Sequence, residues 1–264
     1  KPFFVYLPTN TPHVPDICAE KYSKPYKGTY EDGKPIPAKF YGMIANLDEN
    51  LGRLEAFLTE QDLRDNTILI YMSDNGTQST RAKEIFNSGM REKKTSVYEG
   101  GHRVPCFIRW PNGKLKHDSA VNELTQVQDL LPTLIDLCGL KTSVAEVVKT
   151  FGVMPEPPKL LTSSATTSFD GTSLAGLLKG TTKELPGRKL VIQYRVSGEK
   201  WAPAVVLWDK WRLVGPGILY NVADDPHQDH NIADQHPDIV KKMKTTMKEA
   251  RTSSDVFKLL PSEQ

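Results

Sequence analysis

The sequence predicts an α/β protein with a small C-terminal α+β subdomain of antiparallel strands and one helix. A buried strand, a long amphipathic helix and a second buried strand follow one another in the first part of the chain, an order typical of a βαβ unit. Residues 141–168 are rich in Pro, Ser, Thr and Lys, and short strand patterns with a terminal helix come after them. The predicted organisation is an α/β domain over residues 1–140, a connection over 141–168 and the subdomain over 169–264.

The first part of the chain supplies the strand–helix–strand order. Residues 3–7 are aromatic and β-branched and end in turn residues, which predicts a buried strand. Residues 67–72 are apolar on both faces and lie between turn signals, which predicts an interior parallel strand. From Pro37 onward, apolar residues recur at steps of three and four, which predicts a long helix. These residues are Phe40, Met43, Ile44, Leu47, Leu51, Leu54 and Leu58.

Further elements are predicted along the rest of the chain. Residues 104–110 predict a strand that shares a sheet with residues 3–7 and 67–72. Residues 127–137 predict a short helix that either begins near Pro132 or is kinked there, and Gly139 is a typical helix stop. The C-terminal part contains four strand patterns and one helical pattern, at residues 189–194, 202–207, 211–214, 218–220 and 239–251.

Composition excludes several classes of function. The 264 residues are 38% apolar and 25% charged, with a net charge of +2, so no overall charge attracts nucleic acid or a membrane surface. The longest apolar runs are far shorter than a membrane span. The three cysteines, Cys18, Cys106 and Cys138, are widely spaced, which favours free thiols over a disulfide framework or a zinc site.

Asp74 and Asn75 are the first candidate site residues, because they directly follow the strand predicted for residues 67–72. In open parallel sheets, ligands bind outside the carboxyl ends of the strands. A carboxylate beside an amide carbonyl suits Ca²⁺ or Mg²⁺ better than Zn²⁺. Asp-Asn-Gly is also a common turn, and Asn75-Gly76-Thr77 is a formal glycosylation acceptor, so the pattern alone leaves three interpretations open.

His13 and Lys94 are candidates for binding an anion. His13 lies between prolines in a stiff loop after the first predicted strand, where an imidazole can hold an anion or protonate a leaving group. Lys94 precedes a Gly-Gly turn and offers a compact charge. Taken alone, each also fits an ordinary loop residue. His227, His230 and His236 lie in a polar turn, which favours solvated histidines over a metal site.

Several segments, in order along the chain, resemble the type I sulfatase family. They include the Pro-His-Val-Pro loop at 12–15, the Ser-Asp-Asn-Gly turn at 73–76 and the Tyr-Glu-Gly-Gly-His-Arg-Val-Pro segment at 98–105. The other similar segments are residues 1–7, 47–54, 65–67, 94–97, 169–174, 219–221, 225–226 and 231–233. Any one of these segments is weakly specific, whereas the ordered set is highly specific.

The resemblance implies a fold, an activity and roles for named residues. It implies an alkaline-phosphatase-like mixed sheet between helices and hydrolysis of sulfate monoesters, either small molecules or sulfated carbohydrates. Asp74 and Asn75 would belong to a Ca²⁺ site, while His13 and Lys94 would hold the sulfate and its bridging oxygen. The family's nucleophile is a formylglycine made from a cysteine in Cys-x-Pro-x-Arg. Most members of the family work outside the cytoplasm.

The sequence departs from the family pattern at the nucleophile. Pro-x-Arg follows none of the three cysteines, and the family's aspartate pair for the metal and its second lysine–histidine pair are not found. The chain also begins within a predicted core strand. We therefore expect a C-terminal part of a sulfatase that is inactive alone, with the missing groups preceding Lys1.

Two other interpretations stay open. One is a phosphoester or phosphonate hydrolase of the alkaline phosphatase superfamily. Members with two zinc ions usually carry Asp-His where this chain has Asp74-Asn75, and an amide oxygen favours calcium. The other is a sulfatase-like module without catalytic activity.

Overall fold

The computed structural model describes residues 1–140, 170–185, 187–193 and 203–253. Contacts group the chain into two compact units, Lys1–Ile108 with Lys189–Gln264, and Arg109–Arg188. The connection predicted for 141–168 lies outside the described residues, so the predicted domain boundaries stay a prediction. In the described part of the chain, no helix combines the length and apolar character that a membrane span requires.

The first unit begins with two packed helices, α1 (Glu20–Ser23) and α2 (Ala38–Glu60). Helix α2 confirms the helix predicted from Pro37, and its buried face includes Phe40, Met43 and Leu58. Gly42 permits the close approach of the two helices, because a Cβ there would lie 2.9 Å from the backbone nitrogen of Ser23.

The strand predicted for residues 3–7 is wrong. The segment has no strand structure, and its residues are between 57% and 79% exposed. An apolar, β-branched run becomes a strand only where a neighbouring backbone supplies hydrogen bonds. The other two predicted members of that sheet are confirmed as strands β1 (Leu69–Met72) and β2 (Cys106–Arg109), which pair with each other. Strand β1 has β2 as its strand partner in a two-stranded sheet of the described chain, and all four of its residues are partly exposed, so the prediction of an interior strand is wrong.

Two short helices lie between β1 and β2. Helix α3 (Thr80–Ile85) begins after Ser79, whose hydroxyl accepts a hydrogen bond of 3.1 Å from the amide of Ala82, a typical N-terminal cap. Helix α4 (Glu99–His102) is one turn long, and Glu99, Gly100 and Gly101 within it are buried.

The C-terminal part of the first unit is a four-stranded antiparallel sheet, as predicted. Its strands follow chain order, and helix α7 (Pro237–Ser253) packs against the sheet. The strands are β3 (Lys189–Gln193), β4 (Ala204–Trp208), β5 (Trp211–Val214) and β6 (Ile218–Asn221).

Side chains alternate between the two faces of this sheet. The register partners Leu213 and Leu219 lie on the face that forms a core with α7. The next pair in the register, Arg212 and Tyr220, therefore lies on the opposite face, and both side chains are buried. Residues of β4 are buried on both faces, so both sides of the sheet are covered.

The second unit contains helices α5 (Leu130–Leu137) and α6 (Ala175–Lys179). Pro132 lies in the first turn of α5, where a missing N–H costs no helical hydrogen bond. The helix therefore begins just before the proline and needs no kink. Gly139, at φ 63°, follows the end of α5 as predicted.

Asp129 organises the second unit. It is fully buried and accepts bonds of 2.8 Å from the amides of Gln126 and Thr172, together with bonds of 2.9 and 3.0 Å from the guanidinium of Arg188. The carboxylate thus joins the start of α5 to the segment before α6.

Candidate active site

Asp74 and Asn75 lie in the turn that follows β1, as predicted. The side-chain amide of Asn75 donates a hydrogen bond of 2.5 Å to the carboxylate of Asp74. The hydroxyl of Ser73 donates to the backbone carbonyl of Asn75 at 2.9 Å, which closes the turn. Asp74 is exposed and Asn75 is partly buried, so a ligand can reach both side chains.

The chemistry of these two donors fits a hard cation, but their number does not complete a site. Carboxylate and amide oxygens are preferred ligands of Ca²⁺, which takes about six to eight oxygens. Within the described residues, no group of three or more His, Cys, Asp and Glu side chains is arranged to hold a metal. A Ca²⁺ ion on Asp74 and Asn75 therefore needs ligands from elsewhere.

The segment of residues 91–101, the Lys94 loop, is bonded directly to this turn. The amide of Gly76 donates to the carbonyl of Gly101 at 2.9 Å, and the amide of Lys94 donates to the carbonyl of Thr77 at 3.0 Å. The backbones approach so closely that a Cβ on Gly76 would overlap the carbonyl oxygen of Gly100. The backbone of Lys94 is therefore bonded to the Asp74 turn, and the close approach of the two loops explains the glycine at position 76.

Lys94 and its neighbour Lys93 have different surroundings. The ammonium of Lys93 donates to the carbonyl of Gln78 at 3.3 Å. The ammonium of Lys94 makes no hydrogen bond or ion pair to a described residue, and the side chain is partly buried. Its charge is therefore available to a ligand.

His13 lines a pocket of about 390 Å³. Asp74, Asn75 and Lys94 do not line this pocket, and no described hydrogen bond or ion pair connects His13 to them. The Nδ1 atom of His13 lies 2.8 Å from the carbonyl oxygen of Val14, which leaves Nε2 for a ligand. The lining residues are Asn10, Thr11, His13, Val14, Pro15, Ile17 and Met43.

The C-terminal histidines do not form a metal site in the described chain. The side chains of His227 and His230 are 60% and 81% exposed, which agrees with the prediction of solvated residues. The ring of His236 packs on Trp211, with ring centres 4.8 Å apart.

Sequence reasoning missed a buried polar cluster next to the Lys94 loop. Glu99 is 2% exposed, and its carboxylate accepts a hydrogen bond of 2.7 Å from Nε of Arg212 on β5. The backbone amide of Glu99 donates to the side chain of the fully buried Gln228 at 3.0 Å. The Glu-Gly-Gly motif was the local sign of this cluster in the sequence. The partners of Glu99 could not be predicted, because they lie more than a hundred residues away along the chain.

His102 borders the same cluster. Burial lowers the pKa of His102 below its ordinary value of 6.5, against the opposing effect of the Glu99 carboxylate, while the positive charges of Arg212 and Arg103 lower it further. Its Nε2 lies 3.2 Å from the carbonyl oxygen of Val97. The ring is therefore held neutral at physiological pH.

Comparisons with known proteins identify the family. The profile of the Sulfatase family matches residues 1–140. An N-acetylgalactosamine-6-O-sulfatase of Bacteroides thetaiotaomicron is 28% identical over an alignment of 278 residues. The alignment covers 96% of this chain and 48% of that protein. The chain thus spans about half the length of this relative.

Solved structures show the fold. The crystal structure of Ps i-CgsB superposes with a TM-score of 0.74 and 22% identity, over 94% of this chain and 49% of that one. The phosphonate monoester hydrolase of Agrobacterium radiobacter superposes with a TM-score of 0.57 and 22% identity, over 82% of this chain and 41% of that one. The fold is thus the predicted alkaline-phosphatase-like one. Because the family profile covers more than half of the 264 residues, the chain belongs to the sulfatase family.

Proposed function

We propose that this chain supplies the sulfate-binding part of a calcium-dependent sulfatase and one part of its metal site. The observation that carries the proposal is the junction of two loops, in which Gly76 and Thr77 are hydrogen bonded to Gly101 and Lys94. This junction bonds the backbone of Lys94, whose ammonium has no hydrogen-bond or ion-pair partner among the described residues, to the turn that carries the hard oxygen donors of Asp74 and Asn75.

The charges at this junction suit a sulfate monoester. The ammonium of Lys94 is a compact cation that can bind the sulfuryl oxygens. No described hydrogen bond or ion pair connects His13 to this junction. In our proposal His13 approaches the same ester and uses Nε2 to hold the bridging oxygen or to protonate the departing alcohol, since its Nδ1 is occupied by Val14. A calcium ion on Asp74, Asn75 and further ligands would supply a Lewis acid for the sulfuryl group.

The nucleophile lies outside this chain in our proposal. No cysteine is followed by Pro-x-Arg, which the formylglycine route of the family requires. Cys18 is five residues after His13, but its thiol contacts the carbonyl oxygen of Lys39 at 3.6 Å, and no described base activates it. We therefore expect no turnover by the chain alone.

The names of relatives support a substrate class. One relative is named for sulfated N-acetylgalactosamine, and Ps i-CgsB has been solved in complex with k-i-k-neocarrahexaose. We propose a sulfate ester, carried by a carbohydrate or a small molecule, and a compartment outside the cytoplasm.

Inorganic sulfate binding to the purified chain tests the proposal without requiring catalysis. Lys94→Met should weaken sulfate binding about tenfold or more, because a charge-assisted hydrogen bond contributes about 1.5–3 kcal/mol. Lys93→Met is the matched control, since it removes the same charge from the neighbouring residue. The ammonium of Lys93 is already bonded to the carbonyl of Gln78 and is not expected to bind sulfate. Equal affinities of the two variants would contradict the role of Lys94.

Activity assays test the rest of the proposal. An aryl sulfate in Ca²⁺ buffer should be turned over by a longer chain that carries the nucleophile and not by this one. In the longer chain, Asp74→Ala should abolish activity, and excess Ca²⁺ should not restore it. Turnover by this chain, lost in Cys18→Ala, would show that the nucleophile is Cys18.

A phosphonate hydrolase is the second candidate, favoured by the structural likeness to the Agrobacterium radiobacter enzyme. Two zinc ions bound to the longer protein, with faster turnover of a phosphonate monoester than of the sulfate ester, would establish it. No turnover of either ester by the longer chain would instead favour a non-catalytic module.

A further inference from the structure

The Lys94 loop is attached to the protein on a second side, away from the Asp74 turn. The carboxylate of Glu99 is 2.7 Å from Nε of Arg212 on β5, and both residues are almost fully buried. The guanidinium of Arg103 lies 3.6 Å from the other carboxylate oxygen. The Nη1 atom of Arg212 donates to the carbonyls of Asp209 at 2.6 Å and Trp211 at 3.0 Å. These bonds fix the orientation of the guanidinium towards Glu99.

Gln228 strengthens the same attachment. Its side-chain oxygen accepts the amide of Glu99 at 3.0 Å, and its backbone carbonyl accepts a bond of 2.7 Å from the guanidinium of Arg91. That guanidinium lies 4.2 Å from the ring centre of Tyr98, a cation–π contact. The loop is thus bonded at both ends to the C-terminal sheet and to the turn after it.

The attachment continues through the loop to the candidate site. The amide of Gly100 donates to the carbonyl of Arg91, and the amide of Gly101 donates to that of Tyr98, both at 2.8 Å. The carbonyl of Gly101 in turn accepts the amide of Gly76, in the turn that carries Asp74. Glu99 therefore lies between the C-terminal sheet and the two loops of the site.

We infer that Glu99, Arg212 and Gln228 form an anchor through which the C-terminal sheet positions Lys94 and the Asp74 turn for sulfate binding. The inference rests on the proposed function in one respect, that Lys94 is the sulfate ligand. None of the three residues touches the substrate in this scheme, so they are positioning residues.

The polar nature of this anchor supports a positioning role. A buried ion pair is costly to desolvate, and a pair of apolar side chains often stabilises a fold equally well or better. Directional hydrogen bonds to a planar guanidinium instead select one arrangement of the loop. An apolar contact at the same place would permit the loop to slide.

Amide hydrogen exchange of the purified chain tests the inference. Arg212→Met removes the guanidinium and should speed exchange at Lys94, Gly100 and Gly101 by about tenfold or more, because the loop then opens without unfolding the chain. Arg188→Met is the matched control, since it breaks an ion pair of the second unit, that of Arg188 with the buried Asp129, and should leave these three amides unchanged. Equal exchange at these amides in both variants would overturn the inference.

Two further measurements complete the design. If Arg212→Met does not fold, Arg212→Lys keeps the charge without the Nε contact, and the same exchange comparison decides. Sulfate affinity should fall about tenfold in the folded Arg212 variant and stay unchanged in Arg188→Met. If wild-type chain binds no sulfate while exchange at the loop still rises, the anchor stands and the proposed function fails.

Discussion

Replacing Gly76 by alanine should separate the two loops of the candidate site. The added Cβ would overlap the carbonyl oxygen of Gly100 and lie 2.8 Å from its carbonyl carbon, so one backbone must move. Strain of this kind costs about 1–3 kcal/mol, and loss of the 2.9 Å bond between Gly76 and Gly101 costs about 1 kcal/mol. Alanine offsets about 0.4–1 kcal/mol of this through the unfolded chain. The expected net loss of unfolding free energy is about 1–3 kcal/mol.

Gly52→Ala is the matched control for this experiment. Gly52 lies within α2, and a Cβ there meets nothing within 4 Å, so alanine should stabilise the protein by about 0.5–1 kcal/mol. Urea unfolding of both variants and the wild type gives the comparison. If Gly76→Ala lies within about 0.5 kcal/mol of the wild type, the two loops are not in contact as described.

Two further predictions concern the buried charges and the neutral histidine. Asp129→Ala should lower the free energy of unfolding by about 3–5 kcal/mol, because it removes the fully buried carboxylate that pairs with the largely buried guanidinium of Arg188 and accepts the amides of Gln126 and Thr172; a urea measurement showing a loss below about 1 kcal/mol would contradict this. The pKa of His102 is lowered in the fold by burial, so the unfolded chain takes up a proton first as the pH falls below 6.5. His102 therefore stabilises the fold above that pH, and its contribution is lost as the pH falls towards the folded pKa. His102→Gln should show a shallower fall of the thermal midpoint between about pH 7.5 and about pH 5, and parallel curves for variant and wild type would refute the assignment.

Local patterns predicted most of the fold. The apolar stripe of α2 and the turn-bounded strands β3 to β6 are encoded within short windows, so their positions were found from sequence. A strand was wrongly predicted at residues 3–7, because a strand depends on a partner that the segment itself does not specify. Local patterns made Asp74, Asn75 and Lys94 candidates, and the family resemblance gave them their roles. The junction of their two loops depends on a contact between Gly76 and Gly101 that no periodicity predicts. His13 was selected in the same way, and its place in sulfate binding stays a prediction.

The contact between Glu99 and Arg212 joins residues 113 positions apart, yet β4 contained a sign that such a contact was needed. Residues 204–207 are apolar without alternation, although an antiparallel sheet with one solvated face shows polar residues at every second position. In the structure, Ala204 and Val206 pack in the core with α7, while Val205 and Leu207 are buried on the other face. Another segment therefore has to cover that face, and the contacts of Arg212 and Tyr220 identify it as the loop around Tyr98 and Glu99. Because this loop also bonds to Gly76, its position depends on the sheet on one side and the Asp74 turn on the other. A substitution within the sheet should therefore change sulfate affinity without any contact to sulfate.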